Sequence, residues 1–273
     1  MTALWSEKAA DAILDYEPEG QCNVIGYEEK VGPLTATVLN DAFIQAAELN
    51  DYHSIAPLNS ASVVLPALLG AAQVKHMSRR RSQNGDGHQS QESTRTVSGL
   101  EFLIAAVVGF ETGPRSGSAM HGADLLLREW HCGPVFGCPA AAAASSRLLG
   151  LSVDNTESAI GIACTQAWGL MAAQYEWMVK RVQHPFAARN GLFGALLARN
   201  DYVGIKKVFE RSYGGFLSMF SQGNGNTPQH DVRKVIQGLG DVELRRGYAP
   251  VAPYWLPLWP PPQSGRDLRQ LRL

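Results

Sequence analysis

Between residues 32 and 212 apolar side chains recur at steps of three and four, and Ala, Leu, Met and Gln are abundant. That spacing lines one face of a helix, whereas a half-buried strand would alternate. The pattern predicts helices over 33–49, 61–76, 99–111, 139–149 and 155–171, with a shorter one over 187–198. Turn chemistry bounds them. Asn59-Ser60 and Ser98-Gly99 precede two of the segments, and Gly150-Leu151-Ser152 separates two others. Pro139 suits the first position of its helix, where a missing N–H costs nothing. Asp154-Asn155-Thr156-Glu157 brings carboxylates to a first turn, where the helix dipole favours them. Residues 4–16 read as an amphipathic helix and 22–27 as a short strand. The predicted class is mainly α, without an internal repeat.

Two stretches break the pattern. Residues 79–96 hold Arg79-Arg80-Arg81 and then Ser, Gln, Asn, Gly and His with no apolar anchor, which predicts a mobile surface loop. A solvated loop outweighs a phosphate or partner patch as the reading of those arginines. From Pro250 to Pro262 six prolines alternate with Tyr254, Trp255, Leu256, Leu258 and Trp259, ahead of a basic end. Proline at that density forbids a helix or a central strand. Pro250/Pro253 and Pro257/Pro260 have P-x-x-P spacing, a weak polyproline signal beside the plainer reading of an irregular tail. The division expected is a helical domain over 1–240 and an irregular Pro-rich tail over 241–273.

Composition narrows the class of function. The chain has 273 residues, 45% hydrophobic, with 24 Lys+Arg against 25 Asp+Glu and a net charge of −1. A large core is within reach, and no long-range field draws nucleic acid or anionic membrane, so neither is expected as a partner. Cys22, Cys132, Cys138 and Cys164 form no C-x-x-C pair and no disulfide framework, which fits a reducing compartment. The first residues lack the basic and apolar regions of a secretory signal, and the longest apolar runs are too short to span a bilayer. A cytoplasmic protein is expected.

Polar chemistry gathers at three places. Glu48-Leu49-Asn50-Asp51-Tyr52-His53-Ser54, followed by Pro57-Leu58-Asn59-Ser60, joins two helices and brings carboxylate, imidazole and phenol beside a helix start. Such a junction suits an anionic substrate with a proton to move, although a capped turn explains the same spacing. Trp130-His131-Cys132-Gly133-Pro134 leads into a small-residue helix. His131, Cys132 and Cys138 lack a second cluster at zinc spacing, so no metal is expected. Lys180-Arg181-Val182-Gln183-His184-Pro185 offers two cations and a histidine, either as a carboxylate-binding corner or as a solvated basic turn. Lys180 and Arg181 are sequence neighbours, so at most one of them is expected to face inward. G-x-G-x-x-G, Walker, G-x-S-x-G and H-E-x-x-H patterns are absent from the sequence.

The same residues carry a family resemblance. It runs through Trp5-Ser6-Glu7-Lys8, Val24-Ile25-Gly26-Tyr27, Ala42-Phe43-Ile44-Gln45-Ala46, Glu48 to Ser60, Trp130-His131-Cys132-Gly133, Gly161 to Ala167, Val179 to His184 and Glu210 to Phe216. In these strings the chain resembles the fungal cis-aconitate decarboxylases of the MmgE/PrpD family, which also includes 2-methylcitrate dehydratases. The resemblance implies a helical domain that normally carries an α/β lid domain, with the active site between them, in a homodimer. It implies cofactor-free loss of one carboxylate from cis-aconitate or an alkylated tricarboxylate, as in itaconate- or maleic-anhydride-type biosynthesis. On the matching positions His131, Lys180 and His53 are the expected catalytic residues. Glu48, Asp51, Asn59, Gln183 and His184 are expected to contact substrate.

Departures from the family pattern bear on competence. Asn50 stands for the first aspartate of a pair, Asn59 for a histidine, and Pro185 for a glycine. An asparagine cannot exchange a proton near neutral pH. The resemblance starts after the family's usual first helices and ends near Gly240, so the lid is expected to be largely missing. Three readings follow: a decarboxylase, a 2-methylcitrate dehydratase-like lyase, or an inactive truncated homologue that pairs with a full-length one. The W-H-C-G and V-K-R-V-Q-H strings favour the decarboxylase.

Overall fold

Short polar residues start the helices, and buried small residues let them pack. In the computed structural model, which describes residues 4–47, 50–84, 96–175, 177–239 and 248–250, the elements run as follows. Helix α1 (Leu4–Leu14) leads to a hairpin of β1 (Cys22–Asn23) and β2 (Lys30–Val31), then α2 (Pro33–Ile44) and a 3₁₀ turn at Gln45–Ala47. Strand β3 (Asp51–His53) precedes α3 (Ser60–Asn84), α4 (Gly99–Ala119) and the single turn α5 (Asp124–Leu127). Then come α6 (Cys132–Leu149), α7 (Val153–Cys164), α8 (Trp177–Ala198), α9 (Phe216–Ser221) and β4 (Tyr248–Pro250).

The caps explain several boundaries. Ser98 Oγ accepts the Glu101 N–H at 3.2 Å while the Glu101 carboxylate accepts the Ser98 N–H at 2.8 Å, a reciprocal capping box that starts α4. Ser152 caps α7 by accepting the Asn155 N–H at 3.2 Å. Gly150 closes α6 with φ +73°, a left-handed conformation in which a Cβ is strained.

Helix α6 is the axis of the fold. It packs against α3, α4, α7 and α8, and all but a few of its residues are buried. Its run Ala140 to Ala144 and the α4 glycines Gly109, Gly113 and Gly117 leave room for close helix approach. A Cβ on those glycines would meet Val64, Leu58, Ala56, Ala140, Ala144 or Phe136. Among the described residues no helix is long and apolar enough to cross a membrane.

The mainly α class holds, while several boundaries differ from the sequence expectation. The segment expected to loop from Arg79 continues α3 through Asn84, and residues 85–95 lie outside the described ones. Pro139 sits inside α6, which begins at Cys132, and Pro185 sits inside α8, which begins at Trp177 rather than near 187. Pro66 and Pro114 likewise lie within α3 and α4. All four prolines are buried. A proline in a helix interior costs about 3 kcal/mol, and tertiary packing offsets that loss here. Helix α4 runs beyond 111 to Ala119, α7 stops at Cys164, and the 22–27 strand is the two-residue β1 of a hairpin. Within the stretch expected to be irregular, Tyr248–Pro250 pairs antiparallel with Asp51–His53, and the rest of 251–273 lies outside the described residues.

Candidate active site

Four elements converge on His184, which is 5% exposed on α8. From the 3₁₀ turn that follows α2, the amide nitrogen of Gln45 meets His184 Nδ1 in a short hydrogen bond. From the first turn of α3, Ser62 Oγ lies 2.9 Å from the same nitrogen, and it also donates to the Asn59 carbonyl at 2.8 Å. From the segment entering α6, the His131 ring stands 5.2 Å from the His184 ring, tilted by 51°. From α6 itself, Gly133 passes so close that a Cβ there would collide with His184 Nε2.

The electrostatics follow from this crowding. Burial pushes the His184 imidazole well below its usual range, and the nearby His131, Lys180 and Arg181 push it the same way. The ring is neutral near pH 7. Lys180 is half-buried and Arg181 only 2% exposed, so the inward member of this pair is Arg181. Its guanidinium stacks 5.3 Å from the Trp5 ring of α1.

The loop that carries His131 is pinned from behind. His131 N–H donates to the Gly169 carbonyl at 3.1 Å, and Met171 N–H to Glu129 at 2.9 Å. Gly169 has φ +148°, and a Cβ there would press on His131, Pro134 and Gln183 at 3.0–3.1 Å. Gln183, 2% exposed, receives the Leu170 N–H at 2.8 Å and donates to the Leu170 carbonyl at 3.1 Å. Both ends of that amide hold the loop at Leu170.

The first-helix corner is also structural in part. Asp51 accepts the Ala61 N–H at 3.2 and 3.1 Å and so caps α3. Burial pushes its carboxyl up to about 6, against backbone hydrogen bonds that pull it down. His53 is fully buried in β3, with Nδ1 accepting the Ala56 N–H at 3.1 Å. Asn59 is half-buried and reaches the cluster through its carbonyl bond from Ser62. Glu48 lies outside the described residues.

The structure therefore brings His131, Lys180 and His184 together and sets Asn59 at their edge. Gln45, Ser62 and Arg181 belong to the same cluster and were missed as site residues. The signal for Gln45 and Ser62 was a polar residue inside an apolar helical stretch, since a buried polar group needs a partner. Cys132 and Cys138 point to different carbonyls, Gly122 and Gln166, and no three metal-ligand side chains group among the described residues. Two imidazoles, an ammonium and a guanidinium around the start of a long helix can bind a multiply charged anion and hold a proton beside it.

Residues 1–229 match the family model described as the MmgE/PrpD N-terminal domain. The chain is 69% identical over 236 residues to the cis-aconitate decarboxylase-like protein oryM of Aspergillus oryzae, covering 86% of this chain and 46% of that protein. It is 55% identical over 236 residues to the cis-aconitate decarboxylase of Aspergillus terreus, covering 86% and 45%. The human cis-aconitate decarboxylase is 27% identical over 194 residues, or 70% of this chain and 37% of the relative. The chain spans about half the length, or less, of the curated relatives it matches.

Proposed function

Because the chain belongs to the MmgE/PrpD family, we propose that it is the helical part of a cis-aconitate decarboxylase-like lyase acting on a small tricarboxylate. The observation that carries the reading is the His131–His184 pair at 5.2 Å beside Lys180 and Arg181. Decarboxylation breaks a C–C bond, releases carbon dioxide and leaves an electron pair that spreads onto a neighbouring unsaturated or carboxylate group. One proton then returns to carbon. The site must hold the remaining carboxylates, stabilise the displaced charge and supply that proton. Lys180 and Arg181 serve the first need, and His131 is the group placed to pass the proton. Asn59 can position but not exchange a proton, so His131 carries that task without it.

The partner arrangement belongs to the same proposal: the helical part works as a homodimer or beside a full-length homologue. The test is a product assay with cis-aconitate, read by mass spectrometry for loss of one carboxylate, on the chain alone and mixed with a full-length relative. Turnover that disappears in Lys180→Ala is expected. A product that has lost water but kept every carboxylate would replace the reading with a dehydratase. No turnover in either arm, from folded protein, would leave only the inactive homologue.

A further inference from the structure

One face of α2 carries three buried polar side chains in a row. Thr37, Asp41 and, in the 3₁₀ turn that continues the helix, Gln45 are spaced by four, so they stack along the same side. The two outer members are anchored. Thr37 Oγ1 donates to the Pro33 carbonyl at 2.8 Å and lies 3.4 Å from the Pro66 carbonyl of α3. The side-chain amide of Gln45 meets His184 of α8, which Ser62 of α3 also reaches. Asp41, between them, is fully buried, and neither of its carboxyl oxygens has a hydrogen-bond partner among the described residues.

The anchors fix what surrounds it. Gln45 stands level with Ser62 and His184, while a Cβ on Gly70 would meet both Thr37 and Leu192. The lengths 37–45 of α2, 62–70 of α3 and 184–192 of α8 therefore run side by side, with α2 antiparallel to the other two. Asp41 sits at their mid-height. The opposite side of α2 takes α1 and the β1–β2 hairpin, through Ala36, Leu39 and Asn40. The charged side chains of those two elements, Glu7, Lys8, Asp11 and Lys30, are exposed there. On the Asp41 side, neither the 3₁₀ turn nor α3 from Ser60 to Gly70 has a titratable residue. The facing length of α8 has the neutral His184 and Arg189, whose guanidinium turns to the Phe186 ring and Asn190. Lys180 and Arg181 lie beyond His184 on α8. Burial alone raises the Asp41 carboxyl, with no charged neighbour contributing.

We propose that Asp41 is a proton-operated latch: as the neutral acid it lets α2 seat against α3 and α8, and loss of its proton at alkaline pH withdraws Gln45 from His184. A carboxylate in that junction meets neither a cation nor a hydrogen-bond donor, so ionisation drives this face of α2 toward solvent. Gln45 is one turn further along and moves with it, whereas Ser62 belongs to α3 and stays. The direction follows from linkage. The seated acid keeps a proton that the unfolded chain gives up at lower pH, so seating weakens as pH rises. The latch stands on packing and does not depend on the lyase reading; joined to that reading, it makes the site fail on the alkaline side.

The test follows the ¹³C-labelled full chain by NMR between pH 6 and pH 10, reading the Asp41 carboxyl carbon, the Gln45 amide carbon and the His184 ring carbons. The Asp41 carboxyl is expected to stay protonated at pH 7 and then to titrate, with the Gln45 and His184 signals moving at the same midpoint. His184 gives up its own proton below that range. Asp41→Asn keeps the shape without the acid, and its Gln45 and His184 signals are expected to stay level; if that variant does not fold, the wild-type co-titration decides. An Asp41 carboxyl already ionised at pH 7, or neutral up to pH 10, overturns the latch. So do Gln45 and His184 signals that ignore the titration or that move equally in Asp41→Asn. Loss of the α4 and α6 signals at the same midpoint overturns it too, because that marks unfolding of the whole chain. Turnover of cis-aconitate is read in parallel: its absence beside an intact co-titration sinks the lyase reading and keeps the latch, whereas turnover without co-titration does the reverse.

Discussion

Gly133 and His184 are matched at the residue scale, since one can exist only because the other has no competing side chain. A methyl group at position 133 would overlap the imidazole. Gly133→Ala is expected to cost about 1–3 kcal/mol, the usual penalty of overpacking a tight interior. Adding His184→Ala should remove most of that penalty, because the colliding ring is gone. Urea unfolding of the two single variants and the double variant checks this, and additive losses would show that the strain lies elsewhere. Gln183 gives a second case. Its amide holds both polar groups of the Leu170 backbone, so Gln183→Leu should cost about 1–3 kcal/mol and loosen the His131 loop, seen as faster amide exchange at His131 and Met171.

Caps and breakers decide the lengths of the elements. The Ser98/Glu101 box at the start of α4 leaves both partners exposed to solvent, yet Ser98→Ala should still cost about 1 kcal/mol, measured by thermal unfolding. This cap was legible from Ser98-Gly99 in the sequence. The starts of α6 and α8 were not: local chemistry puts Pro139 at a helix start and the later helix at 187, whereas the helices begin at Cys132 and Trp177. Both helices continue through proline because each is packed on several sides, and a local rule cannot register that packing. The extra turns matter for the site. They carry Cys132, Gly133 and Lys180, so the misplaced boundaries fell on the segments that build it.

For the molecule as a whole, stability against pH reflects buried groups shifted in opposite senses. The folded carboxyl of Asp51 is raised from 3.8 to about 6. The folded state therefore binds more protons than the unfolded state between those values, and Asp51 lowers stability as pH climbs through that window. Asp41, fully buried with both carboxyl oxygens unpartnered among the described residues, is raised further and acts in the same direction. His184 is shifted below 6.5, so the unfolded state binds more protons below that pH and acid destabilises the fold. Asp51→Asn removes one of the opposing contributions. Stability of that variant should rise more steeply than wild type from pH 4 to pH 6, by on the order of 2–3 kcal/mol. Urea midpoints across that range check it, and parallel curves would deny the shift.

The sequence by itself determined the mainly α class, the family strings and the chemistry of His131, Lys180 and His184, because helical periodicity and residue type are properties of the linear chain. It also marked the Asp51 junction and left open whether the corner was a cap or a binding site. Tertiary structure placed the Asp51 carboxylate against the Ala61 amide in the first turn of α3. It also decided that Arg181 rather than Lys180 is the buried cation, and that Gln45 and Ser62 hold His184 from helices far away in sequence. Long-range packing sets which polar groups lose water and which neighbour replaces it, and no local spacing encodes that choice.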